Sequence, residues 1–167
     1  MPKWLMMKTD RLILRKFEAT DKNDLILLLN DKSVTKWMEL PFPYLEKHAL
    51  WWINKGYKEK YHFALTEQDS GNLIGSLKIT LRGEIGCWIG KEYWNKGYAF
   101  EAIEKIKLFG FDELNLELIW AATHKENISP QVVLDKCGFK FIGEKPYHVE
   151  GIGDTKTRPH YEITKSP

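Results

Sequence analysis

The sequence predicts an α+β fold in which one mostly antiparallel sheet is flanked by helices. Three observations predict it. Short strands in the first half of the chain have the pattern of hairpins, and the second half has a β-α-β-α-β order. Residues 83–111 have the pattern of a strand, a turn and then a helix with apolar residues at helical spacing. Internal repeats, linkers and low-complexity tracts are absent, so we expect residues 1–167 to form a single domain.

The elements before residue 83 follow from alternation, helical period and capping residues. Leu25, Leu28 and Leu29 share one side of the first helix. The predicted elements are a strand at residues 11–15, a helix from Thr20 or Asp21 to residue 30, a helix at 44–57, and hairpin strands at 61–66 and 73–81.

The C-terminal elements are marked by breaks and caps. A β-rich segment at residues 116–123 ends at a polar break, and Ser129 then serves as the N-cap of a helix that Gly138 closes. Residues 139–142 and 159–164 are the last predicted strands. The segment between them, residues 151–155, is predicted to be a mobile hairpin tip.

The junction before the central helix predicts an anion site. Gly97 lets the backbone approach a ligand, and Ala99 has no bulky side chain to block it. The first helical N–H groups then stay free for a phosphate, although a tight turn explains the same residues. Glu101 suits the helix dipole and stands four residues before Lys105, the favourable order for a pair. Neither G-x-x-x-x-G-K-S/T nor a strand-linked G-x-G-x-x-G occurs, which disfavours ATPase and dinucleotide sites.

Composition excludes several function classes. With 43% hydrophobic and 29% charged residues, the chain is typical of globular proteins, and a net charge of +2 without a basic stripe disfavours nucleic acid. Cys87 and Cys137 are predicted to be buried free thiols. No apolar run could span a membrane, and the N-terminus lacks a signal peptide, so a cytoplasmic location is expected.

Metal and covalent catalysis are also disfavoured. The five histidines show no H-x-x-x-H spacing, and the two cysteines lie far apart in the sequence, so no metal site is predicted. No G-x-S-x-G nucleophile elbow is present, and Cys137 falls at a helix end among core positions.

Two motifs together resemble the GNAT (GCN5-related N-acetyltransferase) family. Residues 93–102 have the form YW-x-KGYA-x-EA: Gly97 and Ala99 match the last two positions of the family's R/Q-x-x-G-x-G/A phosphate motif, and Trp94 stands where Arg or Gln is usual. Asn127, followed by LDKCGF at residues 134–139, is the second match. The aromatic-rich form is typical of the branch that acetylates ribosomal-protein N-termini, and the likeness covers residues 9–163.

This resemblance implies six to seven strands, about four helices, and a parallel pair, the fourth and fifth strands, that splays apart to admit acetyl-CoA. The pyrophosphate would lie on the backbone N–H groups of residues 96–99, at the N-terminus of the helix. The pantetheine would pair with the backbone of Trp88 and Ile89, where an N–H could also hold the thioester oxyanion. Asn127 would reach toward the pantetheine or the acceptor, or simply cap a helix. The implied cofactor-binding residues are Trp88, Ile89, Asn95, Lys96, Gly97, Tyr98, Ala99 and Asn127.

The implied reaction is direct attack of an amine on the thioester, which requires a base or a water chain to accept a proton. Glu84 at the start of the central strand, His124 at the end of the next, and Glu39 are candidates. Each is equally explained as a polar residue at a strand end or in a loop. In the family the aromatic loop at residues 34–43 borders the acceptor site, so Trp37 and Glu39 are predicted to bind the substrate.

The proton donor for the leaving thiolate departs from the family pattern. Pro130 occupies the serine position of Asn-x-x-Ser, and Leu134 stands where other members have a tyrosine acid. Ser129 or water remains as the candidate donor.

The departures from the family pattern keep a second function open, namely a non-catalytic acyl-CoA sensor or interaction module. For an enzyme, the acceptor could be a protein N-terminus, a polyamine, an aminoglycoside or a small amino compound, and the resemblance also allows a homodimer.

Overall fold

The computed structural model describes residues 2–57, 59–148 and 155–166. Eight strands and five α-helices lie along these residues. The strands are β1 (Met6–Lys8), β2 (Leu12–Arg15), β3 (Tyr61–Glu67), β4 (Leu73–Ile79), β5 (Ile85–Ile89), β6 (Leu118–Ala122), β7 (Lys140–His148) and β8 (Thr155–Thr164). The helices are α1 (Lys22–Leu29), α2 (Lys32–Thr35), α3 (Glu46–Trp51), α4 (Tyr98–Leu108) and α5 (Ile128–Lys136). The predicted hairpin tip lies outside the described residues except for Thr155, which begins β8.

Two antiparallel sheets meet at one point. The first has the order β1-β2-β3-β4-β5 and the second β6-β8-β7. Glu84, just before β5, forms a parallel bridge with Trp120 of β6, and the Trp120 N–H donates to the Gly83 carbonyl at 2.9 Å. No described ladder continues from this bridge, so β5 and β6 separate beyond it. The predicted α+β fold with a splayed parallel pair is confirmed.

Two elements that the sequence did not predict, β1 and α2, are short. Strand β1 has three residues and helix α2 has four, too few to show a period in the sequence. The strand at the C-terminus is longer than predicted, because β7 and β8 continue as a two-stranded ribbon from Lys140 to His148 and from Thr155 to Thr164.

Helices cover both faces of the first sheet. Ala102, Ile103 and Ile106 of α4 are buried against one face, as the helical period predicts. The apolar side of α1, formed by Leu25, Leu28 and Leu29, is buried against the other face. Asp21 stands at the N-cap of α1, but its carboxylate binds the Arg15 guanidinium at 2.8 and 2.9 Å rather than capping the helix.

Two local predictions are wrong in detail. Glu101 pairs with Arg11 at 2.8 Å and accepts a hydrogen bond from Thr9, instead of pairing with Lys105. Helix α5 begins at Ile128 with Asn127 as its N-cap, so Ser129 lies inside the first turn. The Gly138 end of α5 is as predicted, with a φ of 87° and a Phe139 N–H bond to the Leu134 carbonyl.

His62 is a partly buried histidine held in an aromatic cluster. Its Nε2 lies 2.8 Å from the Ser76 hydroxyl. Burial, aided by the nearby charges of Lys78 and Lys16, lowers the pKa of His62 to about 3. The rings packed around it belong to Phe17, Trp52 and Tyr57.

We expect this histidine to make folding pH-dependent. Its pKa is about 6.5 when unfolded, so its stabilising contribution is complete above that pH and is lost as the pH falls toward 3. Between pH 7.5 and 5.5 the free energy of unfolding should decrease by up to about 1.4 kcal/mol from this group. Urea unfolding of wild type and His62→Gln at both pH values measures it. An equal decrease in both proteins would contradict this assignment.

Candidate active site

The start of helix α4 exposes unused backbone donors. Gly97 is the N-cap with a φ of 80°, and Asn95 also has a positive φ, of 60°. The first bond within the helix runs from the Glu101 N–H to the Gly97 carbonyl at 3.0 Å. No backbone acceptor among the described residues meets the N–H groups of Tyr98, Ala99 and Phe100. These donors at the positive end of an 11-residue helix form a cradle suited to an anion.

Arg11 braces this cradle, a role that the sequence did not predict. Its Nη1 donates to the Lys96 carbonyl at 2.8 Å, and its guanidinium lies 4.3 Å from the centre of the Tyr98 ring. Its Nε binds the Glu101 carboxylate at 2.8 Å. Burial opposes ionisation of Glu101, but the hydrogen bonds from Thr9 and Arg11 prevail and lower its pKa. A charged pair thus fixes the turn before α4.

The space between β5 and β6 offers backbone groups for a second contact. Gly90 donates to the Ile74 carbonyl and Thr80 to the Glu84 carbonyl, so even-numbered residues of β5 point their backbone groups toward β4. Odd-numbered residues, Cys87 and Ile89 among them, therefore point theirs into the gap. The cradle lies a few residues beyond this strand.

Trp88 is placed differently from the prediction. It pairs with Ser76, and the same register directs its N–H and carbonyl toward β4, so its backbone is not available in the gap. Cys87 and Ile89 hold that position instead. The Trp88 side chain packs against the cluster around α1, the packing role that the sequence also allows.

Trp94 lies at the end of the gap that adjoins the cradle. Its indole N–H donates to the Ile89 carbonyl at 2.7 Å, which ties the turn before the helix to the end of β5. The sequence marked Trp94 only as a departure from the usual Arg or Gln, so its bond to β5 adds a structural reason for the tryptophan.

Glu84 lies where β5 and β6 meet. Its carboxylate accepts a hydrogen bond from the Tyr147 hydroxyl at 2.6 Å, and the Arg158 guanidinium lies 4.6 Å from the centre of the Tyr147 ring. Burial first, and then the bond to Glu84, raises the pKa of Tyr147. Tyr147 therefore stays protonated and acts as a donor to Glu84.

His124 lies at the other end of β6, beside the predicted acceptor loop. Its Nε2 is 3.1 Å from the Trp37 carbonyl, and the two rings are 5.3 Å apart. Since a carbonyl only accepts, Nε2 carries the proton and Nδ1 retains a lone pair. Burial, then the charge of Arg158, lowers the pKa of His124, against the opposing charges of Glu39 and Glu126.

Glu84 and His124 lie too far apart to serve the same reacting amine. Glu84 bridges to Trp120, and His124 is four residues further along, roughly 13 Å away at about 3.3 Å per residue. The two candidate bases thus occupy opposite ends of the gap, Glu84 where the strands meet and His124 level with Trp88.

The loop before α5 is held by a glutamine that the sequence did not single out. The Gln131 amide donates to the carbonyls of His124, Lys125 and Asn127 at 3.1–3.2 Å, and it accepts from the Tyr161 hydroxyl at 3.1 Å. Asn127 is the N-cap by backbone position, but its side chain makes no capping bond. The capping explanation of its side chain is therefore not supported, and Ser129 is exposed.

Burial keeps both cysteine thiols unreactive. Both thiols are free, with Cys137 buried and Cys87 partly so, and burial raises the pKa of each to about 12. They are protonated at neutral pH and poor nucleophiles. The described residues contain no group of three metal-binding side chains, and none of their helices is long and apolar enough to cross a bilayer.

Comparisons with known proteins match this geometry. A family model described as "Acetyltransferase (GNAT) domain" matches residues 11–140. The chain belongs to the GNAT family of N-acetyltransferases. It is 32% identical over 148 residues to "Uncharacterized N-acetyltransferase p20" of Bacillus licheniformis, covering 81% of this chain and 82% of that protein. It is 30% identical over 171 aligned positions to "Uncharacterized N-acetyltransferase YoaA" of Bacillus subtilis (strain 168), covering 96% and 97%.

A solved GNAT structure shows the same architecture. The acetyltransferase (GNAT family) from Bacillus anthracis has a TM-score of 0.82 to this chain at 26% identity, covering 95% of this chain and 98% of that one. As a GNAT N-acetyltransferase the protein is an enzyme of acetyl transfer. The family resemblance in the two sequence motifs is confirmed, whereas the ribosomal-protein branch stays a prediction.

Proposed function

We propose that the protein transfers the acetyl group of acetyl-CoA to a primary amine, on a protein N-terminus or a small molecule, by direct attack on the thioester. The observation that carries this proposal is the cradle of free helix donors beside the gap between β5 and β6. Backbone donors suited to a phosphate lie next to an opening that can take an extended chain. Acetyl-CoA has a diphosphate and an extended pantetheine arm, so it requires these two features side by side.

The cradle suits the diphosphate of the substrate. The N–H groups of residues 96–99 bind it, with Phe100 as an additional donor, and Asn95 and Gly97 supply the left-handed backbone that turns these groups outward. Arg11 donates to the Lys96 carbonyl from the side opposite the ligand and so holds the turn in place. Among the described residues only the Arg11 side chain comes within 4 Å of a Cβ built on Gly97, at 3.4 Å.

The gap suits the pantetheine arm. The outward backbone of Cys87 and Ile89 offers strand-like hydrogen bonds, and the N–H of Cys87, the nearer of the two to Glu84, stabilises the oxyanion that develops on the thioester carbonyl. The side chain of Asn127, at the start of α5, makes no capping bond, and we assign it to a contact with the pantetheine or the acceptor. The Trp94 indole occupies the Ile89 carbonyl, so the N–H is the backbone group of Ile89 that remains for the pantetheine.

Glu84 is the base that we favour over His124. The acyl end of an extended arm entering from the cradle points toward the closed end of the gap, where Glu84 lies. An amine near pKa 10 is mostly protonated at neutral pH, so Glu84 accepts its proton directly or through water. Trp37 and Glu39 form the acceptor wall beside His124. Ser129 or water returns a proton to the thiolate.

Turnover of acetyl-CoA with a panel of amines tests this function. We expect CoA release that depends on both substrates, together with an acetylated amine detected by mass spectrometry. Peptides with free N-termini, polyamines, aminoglycosides and small amino compounds make up the panel. Tight binding of acetyl-CoA without CoA release from any amine would instead indicate the sensor function.

Asn127→Ala should reduce turnover more than stability. Its side chain makes no capping bond, so we expect a decrease of about tenfold in kcat with less than about 1 kcal/mol change in unfolding free energy. Kinetics and thermal unfolding of the same preparation measure both. A large loss of melting temperature with normal kinetics would show that Asn127 is only a helix cap.

A further inference from the structure

One face of the second sheet gathers polar and aromatic side chains next to Glu84. Trp120, which bridges to Glu84, and Ala122 are alternate residues of β6 and lie on the same face of the sheet. Ala122 pairs with His160, so the even-numbered residues of β8 also lie on this face. The Trp120 and His160 rings stack at 5.4 Å with 8° between their planes. The pairings of β7 with β8 place Tyr147 and Arg158 on the same face. The face therefore extends from Glu84, the candidate base, along β6 and β8 to Arg158.

Arg158 differs from the other arginines in its pairing. Arg11 and Arg15 each bind a carboxylate at 2.8 Å, and Arg82 is exposed. Arg158 is partly buried, yet among the described residues it forms no ion pair, and Glu144 of the same ribbon pairs with Lys125. Its guanidinium is held over the Tyr147 ring at 4.6 Å. A planar, oriented guanidinium without an ion-pair partner among the described residues is suited to bind a carboxylate with two hydrogen bonds.

The position of Arg158 relative to Glu84 limits the size of its ligand. Tyr147 contacts both groups, since its ring lies under Arg158 and its hydroxyl binds the Glu84 carboxylate at 2.6 Å. One tyrosine ring thus separates the candidate anion site from the candidate base. An amine at Glu84 and an anionic group at Arg158 are then only a few covalent bonds apart.

We propose that Arg158 binds the carboxylate of the acceptor, and that the acceptor is a small primary amine carrying a carboxylate, an amino acid or a close analogue. This inference rests on the proposed acetyl transfer with Glu84 as base. It distinguishes the protein from one that acetylates polyamines, because Arg158 repels a second ammonium group at that position. Glu84 faces the amine end of the acceptor, and Arg158 faces the carboxylate end.

Matched amines test the proposal. 4-Aminobutyrate and n-butylamine both have the high pKa of an alkylamine but differ in the carboxylate, and glycine, β-alanine and 5-aminopentanoate vary the spacing. A tripeptide with a free N-terminus and an amidated C-terminus represents a protein acceptor. We expect the best carboxylate-bearing amine to exceed butylamine and the tripeptide by at least about tenfold in kcat/KM.

Variants at position 158 test whether Arg158 causes the preference for carboxylate-bearing amines. Arg158→Gln should reduce the ratio of kcat/KM for the best carboxylate-bearing amine to kcat/KM for butylamine to about one, and Arg158→Lys should retain part of the preference. Lys140→Gln, which removes an exposed cation at the far end of β7, is the control and should keep the preference. A preference unchanged in Arg158→Gln, or equal turnover of all acceptors by wild type, overturns the proposal.

Calorimetry separates this inference from the proposed function. The same amines are titrated into the CoA-loaded protein. If binding depends on the carboxylate and is lost in Arg158→Gln, but no amine is turned over, the anion site at Arg158 is supported and the proposed acetyl transfer is overturned. Turnover without discrimination keeps acetyl transfer and overturns the anion site.

Discussion

Gly97→Glu should abolish acetyl-CoA binding while the protein remains folded. The new carboxylate stands at the cradle, where it repels the diphosphate and competes for the free donors of α4. We expect the dissociation constant to rise at least about 100-fold, equivalent to about 2.7 kcal/mol. The φ of 80° also makes any side chain there unfavourable, at a cost of about 1–2 kcal/mol in stability. Calorimetric titration with CoA and urea unfolding measure the two effects.

Gly143→Glu is the matched control for this variant. Gly143 also has a positive φ, of 109°, and nothing lies within 4 Å of a Cβ built there, but it belongs to β7, away from α4. It should suffer the same backbone strain and keep CoA affinity. If both glutamate variants bind CoA like wild type, the diphosphate is not bound at the start of α4.

Glu84→Gln should lower kcat by about 100-fold or more, the usual effect of removing a general base. Glutamine still accepts the Tyr147 hydroxyl bond, so the local structure and the KM for acetyl-CoA should change little. Steady-state kinetics from pH 6 to 9 measure the loss and its pH dependence.

His124→Gln distinguishes the two candidate bases. His124 lies roughly 13 Å from Glu84 along the strand, so its loss should reduce kcat less than about tenfold. A larger decrease in His124→Gln than in Glu84→Gln would assign the base to the histidine and reverse our choice.

The features that the sequence predicted well are those encoded by neighbouring residues. The helical period after Gly97, the glycine that opens α4 and the glycine that closes α5 all depend on local backbone preference. The order of hairpins and crossovers followed from these local signals, and with it the α+β class.

The features that it missed depend on pairings between distant residues. The direction of the Trp88 backbone is set by the register of β5 against β4, which alternation within β5 does not fix. Glu101 binds Arg11, 90 residues earlier in the chain, in place of its helical neighbour. The contact between Tyr147 and Glu84 likewise joins two sheets, so no sequence spacing could indicate it.

A crystal structure of the protein with acetyl-CoA tests the central claim most directly. We predict diphosphate oxygens within about 3 Å of the backbone nitrogens of residues 96–99, with the pantetheine extended between β5 and β6 and the thioester near Glu84. A diphosphate bound elsewhere on the protein, with the N–H groups at the start of α4 in contact only with solvent, would contradict the account.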